Sequence, residues 1–221
     1  MNQPFEKLLI ANRGEIALRV IRAAKALGLQ TVAVYGAADR HAAHVAAADE
    51  AIFLGDESNG LPYLDIPRIL QATECTGAQA IHPGYGFLAE RPDFAQAVLD
   101  AGLVWVGPPP AAMVAMAEKD TAKAKAREQG VPVVPGVEGR GLGIEDWVKA
   151  GAEVGYPLLI KAIAGGGGRG MRVVESPSGL REAISQAQTE ALGAFGDDGL
   201  LMERYIGRGR HVEVQVLCDQ H

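Results

Sequence analysis

Pro157-Leu-Leu-Ile-Lys161-Ala-Ile-Ala-Gly165-Gly-Gly-Gly-Arg-Gly170-Met-Arg172 is the stretch that decides how the rest of this sequence is read. Five of the six residues from Gly165 to Gly170 are glycine, although each glycine held in an ordered segment costs roughly 0.5–1 kcal/mol relative to alanine. Leu158, Leu159 and Ile160 read as a short buried strand ending in Lys161, and residues 171–174 resume an extended, β-branched pattern. The unit is strand, glycine tip, strand. Gly165-x-Gly167-x-x-Gly170 matches the dinucleotide pattern but lacks the helix that must follow it. A Walker loop fails as well, because Met171 and Arg172 stand where Lys and Ser or Thr are needed. A glycine hairpin that folds over phosphates, its amides donating and Lys161 supplying a point charge, fits these residues. A tip that merely turns the chain is the alternative.

Toward the N-terminus, strands alternate with amphipathic helices. Residues 7–12 read as a buried strand and Arg13-Gly14-Glu15 as a tight turn. Ile16, Val20, Ile21 and Ala24 then recur at helical spacing up to Gly28, a C′ residue. Residues 31–35, 51–54, 79–81 and 104–106 read as further strands. Between them lie a short alanine-rich helix, a helix capped by Asp65 and one opened by Pro92. This order predicts an open parallel sheet with right-handed crossovers, whose ligands bind beyond the carboxyl ends of the strands. The domain ends near Gly107-Pro-Pro-Pro110. His41 and His44 stand three apart with no further metal ligand nearby, so they read as a solvated helix face. His82-Pro-Gly84-Tyr85-Gly86-Phe-Leu-Ala-Glu90 follows a strand's carboxyl end, and reads equally as a site and as a turn packed between sheet and helix. Asn12-Arg13-Gly14-Glu15 has no glycine triplet for a pyrophosphate, which argues against a nicotinamide dehydrogenase.

Residues 111–129 are helical throughout by pattern, with Lys119, Lys123 and Lys125 mostly on a solvated face. Residues 130–136 lead into a second domain with a helix over 145–154, the glycine hairpin, and a helix capped by Ser176 or Ser178 and running toward Ala194. A strand over 200–206 and an alternating final strand over 211–217 complete it. The 221 residues are 48% hydrophobic with a net charge of −6, which suits an α/β protein and argues against a dedicated nucleic-acid binder. Cys75 and Cys218 lie far apart without metal or redox spacing, and the N-terminus reads as neither signal peptide nor membrane span. A cytoplasmic protein is expected.

Ala11-Asn12-Arg13-Gly14-Glu15-Ile16-Ala17, Ala38-Asp39-Arg40, the His82–Leu88 loop, Lys161 with the glycine run, and Arg210-His211-Val212-Glu213-Val214-Gln215 together resemble the biotin carboxylase family. The resemblance runs over the whole chain, and its motifs fall in the family's order. It implies an α/β protein in which a Rossmann-like, pre-ATP-grasp domain (1–110) and a helical linker (111–132) precede an ATP-grasp lid (133–205). Residues 206–221 would then begin the ATP-grasp core. By motif position, Lys119 and Lys161 resemble the family's phosphate lysines, and Gly167 and Gly168 its phosphate-covering tip. Glu203, Arg204, Tyr205 and Ile206 resemble the hinge strand that reads adenine, and His211 a residue of the nucleotide pocket. Tyr85 and Gly86 resemble the loop beside biotin. The implied reaction carboxylates carrier-bound biotin from ATP and bicarbonate through carboxyphosphate, with Mg2+. The implied partners are a biotin carboxyl carrier, a carboxyltransferase component and a second copy, with no nucleic acid and no membrane.

Ala117-Glu118-Lys119 replaces the family's usual Gly-Asp-Lys, Ile163-Ala164 its small pair, and Gly36 a common serine. The family's magnesium carboxylates, bicarbonate-binding residues and base are expected beyond His221, so the chain reads as an amino-terminal portion that is inactive alone. A self-standing nucleotide-binding or assembly module is the competing reading.

Overall fold

The computed structural model describes residues 4–56, 60–117, 119–164 and 171–216, with backbone alone at 117, 119 and 120. The protein is α/β, with one parallel and one antiparallel sheet, and its chain divides into two compact units, Met1–Ala115 and Met116–His221. Among the described residues no helix is long and apolar enough to cross a membrane.

In the first unit the elements run β1 (Lys7–Ile10), α1 (Gly14–Ala26), β2 (Gln30–Gly36), α2 (Ala43–Ala47), β3 (Glu50–Gly55), α3 (Ile66–Thr76), β4 (Ala80–His82), α4 (Pro92–Asp100) and β5 (Val104–Trp105). The strands form an all-parallel sheet of order β3-β2-β1-β4-β5. The pleat sends Leu8 and Ile10 to the face covered by Ala17, Val20, Ile21 and Ala24 of α1. Leu9, Val32, Val34 and Ile81 go to the other face, against Ile69, Phe94 and Val98. Asp65 caps α3, its side chain accepting from the Arg68 amide at 3.0 Å. Because chain order reverses between β1 and β4, the crevice at their carboxyl ends is a topological switch point.

In the second unit, α5 (Pro110–Ala117), which begins in the first, and α6 (Lys119–Glu128) are followed by β6 (Gly136–Gly139), α7 (Ile144–Val154), β7 (Leu158–Ala162), β8 (Arg172–Val174), α8 (Leu180–Phe195) and β9 (Leu200–Arg204). The sheet is antiparallel with order β6-β9-β7-β8. Leu158, Ile160, Ala162, Leu200 and Met202 bury one face of it against Trp147, Val154, Leu180 and Ile184 of α7 and α8.

Some expectations need correction. His44 does not lie on a solvated face: it is fully buried beneath β2, with Nε2 3.3 Å from the Val34 carbonyl, and burial lowers its pKa. Ser176 stands at the N-cap of the short 3-10 turn that opens onto α8, but neither it nor Ser178 makes a side-chain capping hydrogen bond. Their hydroxyls bond each other at 3.0 Å around a 3-10 turn, and Gly179 stands at the start of α8. Residues 211–216 form no strand, and Val212, Val214 and Val216 are exposed. Alternation makes a strand only where a neighbour offers a ladder, and none does so among the described residues. Gly165 to Gly170, the expected tip, lie outside the described residues.

Candidate functional site

Alternation along β7 and β9 builds a polar face opposite the helices of the second unit. With Ile160 and Met202 turned into the core, Lys161 and Glu203 must point the other way. The register sets Leu159 opposite Glu203 and Lys161 opposite Leu201, so Lys161 and Glu203 are diagonal neighbours on that face. Lys161 Nζ donates to Glu203 Oε2 at 2.6 Å. On the other side of β9, Gly136 lies opposite Glu203. A Cβ at Gly136 would stand 2.5 Å from the Met202 carbonyl oxygen and 3.0 Å from Glu203 Cγ, so only glycine lets the strands meet here.

A second lysine reaches the same carboxylate from α6. Lys123 Nζ donates to Glu203 Oε1 at 2.7 Å, and both side chains are about nine-tenths buried, at 9% and 11% exposed. Periodicity puts the lysines of this helix mostly on a solvated face, but Lys123 is buried. The signal for its burial lies in β9, eighty residues on, and local periodicity does not carry it. Glu138 Oε1 lies 3.6 Å from Lys123 and 3.1 Å from Arg127. Burial opposes ionisation of Glu203, but the hydrogen bonds from Lys123 and Lys161 outweigh it and hold the carboxyl below its ordinary range. The arrangement is one ionised carboxylate between two ammoniums, of which Lys161, with a quarter of its side chain exposed, is the reachable one.

Beyond Glu203 the ladder continues: Arg204 N donates to Pro135 O at 2.9 Å and Tyr205 N to Pro157 O at 2.8 Å. The Ile206 amide has no acceptor among the described residues. The Arg204 side chain turns away to the end of α7, where its Nε donates to Val154 O at 2.9 Å and its second amine reaches the same oxygen. A cation at a helix C-terminus suits the dipole, so this side chain secures structure. Tyr205 is half-buried and Ile206 exposed. His211 is exposed, 3.1 Å from Glu213. Lys119 lies on α6 with its side chain outside the described residues, as are Gly167 and Gly168. The structure therefore brings Lys161 and Glu203 together, adds Lys123, and does not gather His211 with them.

In the first unit, the His82–Glu90 loop rises at the switch point. Buried Asn12, just past β1, ties it down by donating from Nδ2 to Pro83 O at 2.7 Å and to Tyr85 O at 2.8 Å. Gly84 is at φ +66°, and a Cβ there would stand 2.8 Å from Asn12 Nδ2. Phe87 also takes a positive φ, 43°, and stacks on Tyr63. His82 Nδ1 accepts from the Gly84 amide at 2.9 Å, which leaves the ring proton to Nε2, and burial pushes its pKa down. Tyr85 is exposed and donates to Glu15 Oε1 at 2.8 Å. Strain held by a buried amide marks a built loop more than a passive turn.

Comparison with known proteins gives two family matches: the biotin carboxylase N-terminal domain over residues 4–113, and the ATP-binding domain of the carbamoyl-phosphate synthase L chain over residues 118–221. The chain is 48% identical over 217 residues to biotin carboxylase 1 of Bacillus subtilis, covering 98% of this chain and 48% of that protein. It is 49% identical over 219 residues to the mitochondrial methylcrotonoyl-CoA carboxylase subunit alpha of Arabidopsis thaliana, covering 99% of this chain and 30% of that one. A solved structure, the biotin carboxylase domain dimer of Hydrogenobacter thermophilus 2-oxoglutarate carboxylase in complex with MgADP, ADP and bicarbonate, superposes with a TM-score of 0.84 at 45% identity. That match covers 93% of this chain and 45% of the other. The chain thus spans less than half the length of these relatives.

Proposed function

Because the chain belongs to the biotin carboxylase family, we propose that its second unit binds ATP on the polar face of the β6-β9-β7-β8 sheet. We read the chain as part of a carbon–nitrogen ligase that carboxylates carrier-bound biotin from ATP and bicarbonate through carboxyphosphate. The observation that carries this reading is the Glu203 carboxylate held between Lys161 and Lys123 on the strand that leads to Ile206, whose amide finds no acceptor among the described residues. In this reading Lys161 and Lys119 hold phosphate, Gly167 and Gly168 cover it, and Glu203 with the backbone of Arg204–Ile206 meets the adenine edge. Tyr205 and Ile206 flank the ring, and His211 belongs to the pocket. Residues 133–205 act as a lid, 111–132 as its linker and 206–221 as the start of the core. Tyr85 and Gly86, on the tethered loop, lie beside biotin. A protein carrying biotin, a carboxyltransferase component and a second copy are the proposed partners, and the cytoplasm the proposed compartment.

ATP binding here rests on charge and orientation. Lys161 offers a cation to an anionic group, and the exposed end of β9 offers an amide to a purine nitrogen. Such positioning is most of what phosphoryl transfer asks of a protein. Mg2+ would neutralise charge developing on the phosphates. Among the described residues, however, no cluster of three or more His, Cys, Asp or Glu is placed to hold a metal, and both Glu203 oxygens are taken by lysines. These residues do not fit the ion.

Calorimetric titration of ATP into the 221-residue chain and into a Lys161→Ala variant tests the reading. Binding by the unaltered chain, weakened by roughly tenfold or more in the variant, is expected from loss of a charge-assisted contact. Equal binding by the two would contradict the assignment of Lys161.

A further inference from the structure

Lys123 sits 2.7 Å from one oxygen of Glu203, while Lys161 sits 2.6 Å from the other. The two cations differ in access: 9% of the Lys123 side chain is exposed, against 26% for Lys161. Burying an ammonium is costly unless it is paired, and Lys123 is paired twice, to Glu203 and more loosely to Glu138 at 3.6 Å. Glu138 in turn meets Arg127 at 3.1 Å, so the group reads Lys161, Glu203, Lys123, Glu138, Arg127, with alternating charge.

An anionic ligand that claims Lys161 must draw it from Glu203. Were Lys161 the sole cation on Glu203, that exchange would strand a buried carboxylate, and the carboxylate would hold the lysine against the ligand. Resting on the nucleotide reading above, we infer that Lys123 is a positioning residue for the nucleotide: it keeps the Glu203 carboxylate paired and in place while Lys161 changes partner from carboxylate to phosphate. Lys123 does not itself touch the ligand. Its contact with Oε1 makes the Lys161–Glu203 pair separable without leaving a lone buried charge.

The test is calorimetric titration of ATP into the unaltered chain, Lys123→Met, Lys123→Arg and the double variant Lys123→Met/Glu203→Gln, each first checked by thermal melting. Lys123→Met is expected to weaken ATP binding by roughly tenfold or more, because Glu203 then retains Lys161. Lys123→Arg keeps the charge and is expected to stay within about threefold of the unaltered chain. The double variant removes the charge that holds Lys161, while the glutamine amide keeps an oxygen to accept at the adenine edge, so it is expected to bind ATP more tightly than Lys123→Met; damage to packing alone would not be relieved in this way. If Lys123→Met does not fold, Lys123→Gln replaces it with the same expectations. ATP affinity in the single neutral variant equal to that of the unaltered chain, or a double variant no tighter than the single one, overturns the inference and leaves the nucleotide reading standing. No ATP binding by the unaltered chain overturns both.

Discussion

Asp39 has three donors aimed at one buried carboxylate: Arg13 Nε and its amine, each at 2.5 Å, and the Tyr63 hydroxyl at 2.5 Å. The Arg13 hydrogen bonds, opposed by burial and helped by Tyr63, hold the Asp39 carboxyl below the ordinary aspartate range, while burial and Asp39 push Tyr63 up to about 12. A depressed carboxylate stabilises the fold fully above its unfolded pKa of roughly 4, and that stability is lost as pH falls through the folded value. Asp39→Ala is therefore expected to lose about 1–3 kcal/mol in urea unfolding at pH 7, with a shallower acid limb, because three donors lose their acceptor. Unchanged stability at neutral pH would contradict it. Asp39 and Arg13 were visible in the sequence as parts of two motifs, but their pairing was not, since the residues meet only once β1 and β2 lie side by side. Lys161 stood out in the sequence as the cation between a short apolar strand and the glycine run, and Glu203 only through resemblance to the family's hinge strand; that the two meet depends on the β7–β9 register. Lys123 was not legible, because helical periodicity places it among solvated lysines and only the packing of α6 buries it.

At the scale of elements, the parallel sheet was readable because apolar runs, amphipathic helices and glycine stops recur in strict order from β1 to β5. β6 was harder, as Gly136-Val137-Glu138-Gly139 has no strand composition and is extended because β9 offers a ladder. The reverse holds for 211–216, whose alternation is sound but which finds no neighbour among the described residues. The β6–β9 contact supplies its own test. Gly136→Ala places a methyl 2.5 Å from the Met202 carbonyl and 3.0 Å from Glu203 Cγ. Backbone on the far side cannot yield, so the strands must part, at a cost of about 1–3 kcal/mol in thermal or chemical unfolding. ATP affinity should fall with it, because Glu203 moves. A variant as stable as the original and binding ATP as well would show that the face tolerates a shift of β6.

At the scale of the molecule, each unit has its own core: two apolar layers about the parallel sheet in the first, and one layer under α7 and α8 in the second. The second unit therefore leaves one sheet face free for polar chemistry, and Lys161, Glu203 and Glu138 occupy it. The first unit has no spare face and places its unusual chemistry at the switch point, on the loop tied by Asn12. Family resemblance was legible from motif order, whereas the polar face depends on strand register that no motif states. Hydrogen exchange of the 221-residue chain with and without ATP tests the central claim most directly, since it reports where the ligand slows opening. Slower exchange with ATP in residues 158–162 and 200–206 is the predicted result. Exchange unchanged in those segments, or slowed only within residues 1–115, would contradict a nucleotide site on the β7–β9 face.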